Sequence, residues 1–343
     1  MLTADFDYDL PPELIAQRPL PRRDQSRMMV VQRKTATIIH SRFLEFPSYL
    51  SPHDALVVNT AKVIPAKFWG KKEDKDIEFL LLQEQEPGVW EVLCRPAKKV
   101  KKGEPVTFTS QLEARVVEVK KEGKRLIRFS SPDVLSQLEK IGYAPLPPYI
   151  KRRKKDEDLR KFDLERYQTV FAQEGKAIAA PTAGLHFTPK MLNKVKKRDV
   201  EIVPISLDVG LATFQPVRAL RVENHHLLEE SYTVSKAAAR TLNEAKKESR
   251  KLTAVGTTSV RALESAYQNG KIKAGRSSTQ LFIYPGYEFK VVDSLLTNFH
   301  LPKSTLLMLV SSFAGMDLVK KAYAEAVREK YRFYSYGDCM LII

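Results

Sequence analysis

One histidine, His186, sits in the stretch PTAGLHFT (residues 181–188), which carries no Lys, Arg, Asp or Glu in a chain that holds 57 Lys and Arg. An imidazole titrates near neutral pH, so in a weakly polar loop it can take or give a proton during a reaction. Thr182 and Gly184 stand just before it, and small residues of this kind let a bulky ligand come close to the backbone. The same pattern also suits a histidine that fills a turn with both ring nitrogens satisfied, and the two readings stand side by side.

Three further groups combine chemistry-bearing side chains. LTAVGTTSVRALESA places Gly256, Thr257, Thr258 and Ser259 between an expected strand and an expected helix. Free amides and hydroxyls there could receive a carboxylate, phosphate or ribose oxygen, or could simply cap the helix. Asn298, His300, Lys303 and Ser304 crowd into seven residues before an apolar helix, where Lys303 and Ser304 also fit a helix start. VENHHLLEESY offers Glu223, His225, His226 and Glu230, an acid and base mixture that no spacing rule demands. The C-terminal YRFYSYGDCMLII adds Arg332 and Asp338 to an aromatic cluster, or to a packed last strand. No Walker loop, GxGxxG turn, GxSxG elbow, HExxH or kinase set is present.

These groups need elements to hold them. The N-terminus reads as an extended, docked arm rich in proline, followed by strands at MMVVQ, TATIIH and HDALVVNT. The last is apolar throughout, consistent with burial on both faces, and ends at Asn59 and Thr60, where a loop could present polar groups. From Val63 to Tyr149 the pattern becomes short alternating segments broken by PG, KKG and KEG, the signature of a compact β unit, a barrel or a sandwich. A helix over PDVLSQLEKIG and an exposed exit linker, PLPPYIKRRKK, follow. Beyond it, helix at LERYQTVFAQ, strand at KAIAA, helix at TPKMLNKVKKR, strand at VEIVPISL, helix at VSKAAARTLNEAKKESR and strand at KLTAVGTT predict a layered α/β sheet. Ligands in such sheets gather at the carboxyl ends of the strands. The expected division is an α/β domain from residues 1–62 and 150–343, interrupted by a small unit at 63–149.

A content of 43% apolar residues supports a buried core over 343 residues. No run approaches a membrane span and the start of the chain lacks a signal core, so a cytoplasmic protein without a membrane partner is expected. Cys94 and Cys339 have no zinc or disulfide spacing, and no metal ligand set is visible. The net charge of +16 is bunched at residues 98–102, 151–155 and 194–198. Nucleic acid is the first partner to consider, with Lys151, Arg152, Arg153 and Lys154 as expected RNA contacts; solvated surface faces are the alternative.

The strings PLPPYIKR, YQTVFA, AAPTAGLHFT, VGTTSVRALES, LFIYPGYEF, LLTNFHLPKSTLLMLVSSFAG and YRFYSYGD together resemble the S-adenosylmethionine:tRNA ribosyltransferase-isomerase family of queuosine biosynthesis, nearly end to end. The resemblance implies an α/β sandwich interrupted by a small β-barrel. It implies transfer and isomerisation of the ribosyl part of S-adenosylmethionine onto preQ1 at the tRNA wobble position, giving epoxyqueuosine, adenine and methionine. It implies no cofactor beyond S-adenosylmethionine as co-substrate, and a monomer acting on preQ1-containing tRNA. Within that chemistry His186 is expected as the principal acid/base group, with Asp208, His225 and Glu230 as further catalytic candidates. Gly256, Thr257, Thr258 and Arg261 would hold the methionine carboxylate or ribose; Thr182, Gly184, Asn298, His300, Lys303, Ser304 and Asp338 would complete the substrate site.

The chain departs from the family pattern at several polar positions. Thr60 stands where an aspartate is usual, Asp208 replaces a histidine, Ala212 a glycine, Leu227 a methionine, Leu228 a second histidine, and Gln280 an aspartate. One reading is compensation, with Asp208 supplying the carboxylate lost near Thr60. The other is a divergent paralogue that binds tRNA or S-adenosylmethionine with altered or no catalysis.

Overall fold

The computed structural model describes residues 1–73, 75–210 and 217–343, without the side chain of Glu174. The family position Ala212 therefore lies outside the described residues. The N-terminal arm is docked, as expected, but through short 3-10 turns at Thr3–Phe6, Pro12–Leu14 and Arg23–Gln25 rather than as one extended run. Backbone bonds from Thr3 N to Leu220 O and from Phe333 N to Leu14 O fasten it to the rest of the chain.

Strands β1 (Arg27–Gln32) and β2 (Thr37–Arg42) form a hairpin, and β3 (Ala55–Asn59) is buried at every position, as its unbroken apolar run predicts. After β4 (Ala61–Val63) the alternating segments become β5 (Lys67–Lys72), β6 (Lys75–Glu86), β7 (Val89–Arg95), β8 (Pro105–Thr109), β9 (Leu112–Val119) and β10 (Lys124–Phe129). They close into a barrel in the order β10-β7-β6-β5-β8-β9, around Phe68, Phe79, Trp90 and Val106. Closure leaves no sheet edge exposed, which is what such short strands need. Helix α1 (Val134–Ile141) lays Val134 and Leu138 on the same core.

The stretch after α1 is less exposed than its proline and lysine content suggests. Ala144 and Ile150 are buried in a cluster with Tyr167, Leu185 and Tyr336. The next helix is also displaced from its expected place. Helix α2 spans Glu157–Arg166, capped by Asp156, whose carboxylate accepts from Leu159 N at 3.2 Å. It ends where Tyr167 turns inward to complete burial, so the YQTVFA segment is not helical.

From there β11 (Glu174–Ala177), α3 (Pro189–Lys196), β12 (Glu201–Leu207), β13 (Glu230–Val234), α4 (Lys236–Lys247), β14 (Leu252–Val255) and α5 (Thr257–Ala266) follow. The chain closes with β15 (Tyr267–Gln268), β16 (Lys271–Ile272), β17 (Gly275–Thr279), β18 (Ser294–Asn298), α6 (Thr305–Ala314), α7 (Met316–Arg328) and β19 (Cys339–Ile342). One nine-stranded sheet runs β17-β13-β12-β3-β14-β18-β19-β1-β2. Its central four strands, β12, β3, β14 and β18, are parallel. Their carboxyl ends therefore open on one edge, at Leu207, Asn59, Val255 and Asn298. No helix among the described residues is long and apolar enough to cross a membrane.

Candidate active site

The PTAGLHFT stretch forms a 3-10 turn, Thr182–His186, across that edge, with Thr182 half-buried at its start. Gly184 is required there for a reason other than ligand access: a Cβ on it would lie 2.6 Å from the Phe171 ring and 2.9 Å from Thr169 Cγ2. His186 is buried against the Phe43 ring. Its Nδ1 lies 2.8 Å from Ser26 Oγ and its Nε2 lies 3.2 Å from Asn298 Nδ2. The same Asn298 nitrogen faces the carbonyls of Tyr334 and Asp338, so it is the donor end of the amide. Nε2 is then the acceptor and Nδ1 carries the proton, donated to Ser26. Burial, with Arg332 and Arg23 nearby, pushes the pKa down to about 3. His186 is thus a neutral imidazole with both nitrogens engaged.

Gly256 opens α5 at φ 87, a backbone conformation that favours glycine, with Thr257 and Thr258 buried behind it. Asn59, at the end of β3, ties this edge together. Its Nδ2 donates to Leu207 O at 2.9 Å and to Thr258 Oγ1 at 3.2 Å, while its Oδ1 accepts from Ala61 N and Leu207 N. Arg261, one turn into α5, is partly committed, with Nη2 buried and without a partner among the described residues. Nη1 is bonded to Glu230 Oε2 and Nε donates to Leu281 O at 2.9 Å, both charged residues being buried. Glu230 also accepts from Gly210 N at 2.8 Å. A carboxylate spent in this way is a structural partner of Arg261.

Asp208 follows directly on β12. Its carboxyl is pushed above the usual range by burial, an effect opposed by the Lys176 amide and by Arg276 and Lys176. Among the described residues its Oδ1 is buried with no hydrogen-bond partner. His225 lies edge-on to Phe282 at 5.2 Å, and burial followed by His226 lowers its pKa. Leu228 is 58% exposed and fills no proton-transfer position.

The Asn298–Ser304 loop divides by role. His300 is buried, with Nε2 2.7 Å from Thr297 Oγ1, and burial lowers its pKa to about 3. Lys303 pairs with Asp7 at 2.6 Å on the surface. Ser304 caps α6, its Oγ accepting from Leu307 N at 3.2 Å. Asp338 accepts from Arg27 N and Arg332 N at 2.8 Å each, and so fastens the C-terminal turn. The structure keeps Lys303, Ser304 and Asp338 in folding roles that the sequence also allows.

Of the basic residues expected to meet RNA, Lys151, Arg153 and Lys154 are exposed. Arg152 instead forms a bidentate pair with buried Asp163, at 2.7 and 3.0 Å, and Lys154 bonds Asp76 at 3.1 Å. Arg23, Ser26 and Arg166, which no sequence motif singles out, converge with His186 and with Tyr336 of the C-terminal aromatic cluster around a small cavity. They come from the arm, α2 and the C-terminal turn, and no local spacing links them. Asn59 leaves a fainter signal, as the amide that ends a fully apolar strand. Among the described residues no group of three or more His, Cys, Asp and Glu could hold a metal ion.

Comparison with known proteins then gives a single outcome. Residues 3–342 match a family described as queuosine biosynthesis protein. A protein of Thermotoga maritima named S-adenosylmethionine:tRNA ribosyltransferase-isomerase is 48% identical over 344 residues, covering all of both chains. One of the same name from Halothermothrix orenii is 49% identical over 348 residues, again with full coverage. A crystal structure of the S-adenosylmethionine tRNA ribosyltransferase from Thermotoga maritima superposes with a TM-score of 0.56 and 39% identity, covering 99% of this chain and 100% of the other.

Proposed function

Because the chain belongs to the queuosine biosynthesis protein family, we propose that the carboxyl edge of β12, β3, β14 and β18 is where it performs that family's reaction. The protein is an S-adenosylmethionine:tRNA ribosyltransferase-isomerase, an enzyme that modifies tRNA with S-adenosylmethionine as co-substrate. In this reading it acts as a monomer, its acceptor is preQ1 at the wobble position, and residues 63–149 are an insert in the catalytic domain.

The reaction needs a base for the ribosyl CH₂ beside the sulfonium, whose positive charge acidifies that carbon. Loss of the proton lets adenine leave as the sugar ring opens. The neutral amine of preQ1 then attacks, and ring closure to the epoxide expels methionine. A base needs a free lone pair and a pKa raised toward working pH. Asp208 has both, whereas His186 is held neutral between Ser26 and Asn298. We therefore give the base to Asp208 and keep His186 as a neutral hydrogen-bonding group of the pocket wall. Strands β12 and β18 lie three strand spacings apart, about 14 Å, so an extended nucleoside and amino acid can lie across the edge from one to the other.

The unpartnered buried oxygen of Asp208 carries this assignment. Asp208→Asn should lower single-turnover adenine release at saturating tRNA by at least about 10²-fold, with S-adenosylmethionine still bound. In the wild type the acidic limb of the pH profile should lie above the ordinary carboxylate range, because burial raises the folded pKa. Near wild-type release by Asp208→Asn, coupled with collapse in His186→Ala, would return the role to the histidine.

A further inference from the structure

A small cavity of about 20 Å³, room for one or two waters, lies between the N-terminal arm, α2 and the C-terminal turn, with His186 in its wall. Arg23 and Arg166 line it, and Arg332 is close enough to depress the His186 pKa. All three guanidiniums bond to neutral backbone carbonyls. Arg23 donates to Gln168 O at 2.5 Å and Glu165 O at 2.9 Å, Arg166 to Leu20 O at 2.6 Å, and Arg332 to Arg18 O. The carboxylate nearest Arg332, Asp338, spends its oxygens on backbone amides. Three donors are left over: among the described residues, Arg166 Nε, Arg332 Nη1 and Tyr336 Oη are buried without a hydrogen-bond partner. Tyr336 is only 4% exposed and lines the cavity. Donors left unmade in an interior are costly, and guanidiniums whose hydrogen bonds go to neutral carbonyls, with Glu165 and Asp338 as the carboxylates nearby, favour an anion there.

We propose that this cavity receives the α-carboxylate of S-adenosylmethionine, with Tyr336 Oη and Arg166 Nε as donors. The inference rests on the function given above. A carboxylate at the end of a flexible amino-acid chain can enter an opening of this size, whereas a phosphodiester flanked by two riboses cannot. The other arginine at the edge, Arg261, also keeps a buried donor, Nη2, without a partner among the described residues, but its charge is already met by the buried carboxylate of Glu230.

Tyr336→Phe removes a hydroxyl that has no partner among the described residues of the free protein, so its melting temperature should be unchanged or higher. Calorimetric titration with S-adenosylmethionine should show about tenfold weaker binding than the wild type, the loss expected for one hydrogen bond to a charged group. Titration with the decarboxylated analogue should show no difference between the two proteins. Arg166→Gln should give the same split between the two ligands. Equal affinity of wild type and Tyr336→Phe for S-adenosylmethionine overturns the carboxylate site, as does a loss confined to binding of an anticodon stem-loop RNA. A wild type that binds neither S-adenosylmethionine nor RNA overturns the functional reading and this inference with it.

Discussion

Two buried histidines shape how stability responds to acid. His186 and His300 are both buried, and burial lowers each to about 3 from an ordinary value of 6.5. Below pH 6.5 the unfolded chain binds a proton at each site while the folded chain does not, so folding loses stability as pH falls. At pH 5 the loss is about 2 kcal/mol per histidine, partly offset by Asp208 and Asp338, whose raised values act in the opposite sense. Denaturant midpoints at pH 7 and pH 5 should therefore differ strongly, and His300→Gln should reduce that difference by about 2 kcal/mol; an unchanged difference would mean that the histidine protonates in the folded state. His186 is visible in the sequence because it stands apart from its neighbours in charge. Its partners Ser26 and Asn298 are not visible as partners, since they lie 160 and 112 residues away and only the fold brings them together.

Elements whose burial repeats with a fixed period are legible in the sequence, and elements decided by their ends are less so. The alternation along β5 to β10 marks a β unit, although the pattern of each strand alone does not say whether the sheet closes. The apolar residues of YQTVFA imitate a helix, while the true start of α2 is marked by Asp156, Glu157 and Asp158, a cap and an acidic first turn. At the start of α5 the sequence suggests free amides, but the conformation of the glycine there is the firmer constraint. At φ 87 and ψ 152 Gly256 lies in a region that other residues enter only under strain, and a methyl group added there would meet no atom closer than 3.6 Å. Gly256→Ala should therefore cost about 1–3 kcal/mol through the backbone alone, with little steric effect. A cost below about 0.5 kcal/mol in denaturant unfolding, the scatter of ordinary surface substitutions, would show that the turn relaxes freely.

Across the whole molecule, a net charge of +16 signals a polyanionic partner without saying where it docks. Two of the three basic runs behave differently once folded. Around residues 151–155, Arg152 is bound to Asp163, and Lys154 and Lys155 share Asp76, which leaves Lys151 and Arg153 without an ion pair among the described residues. On α3 and just after it, by contrast, Lys190, Lys194, Lys196 and Lys197 are exposed and make no ion pair among the described residues. That helix begins three residues after His186, so its first turn follows directly on the pocket wall. Each phosphate neutralised by such a side chain contributes about 0.7–0.9 to the slope of log affinity against log salt. Replacing these four lysines with glutamine should lower the tRNA salt slope by about 3, and Lys151→Gln with Arg153→Gln by about 1.5. Arg152→Ala should leave the slope nearly unchanged and reduce stability instead, because it strands Asp163 in a buried site. A quadruple lysine variant with an unaltered slope would move the RNA track off this helix, since released counterions count phosphate contacts whatever the sequence of the RNA.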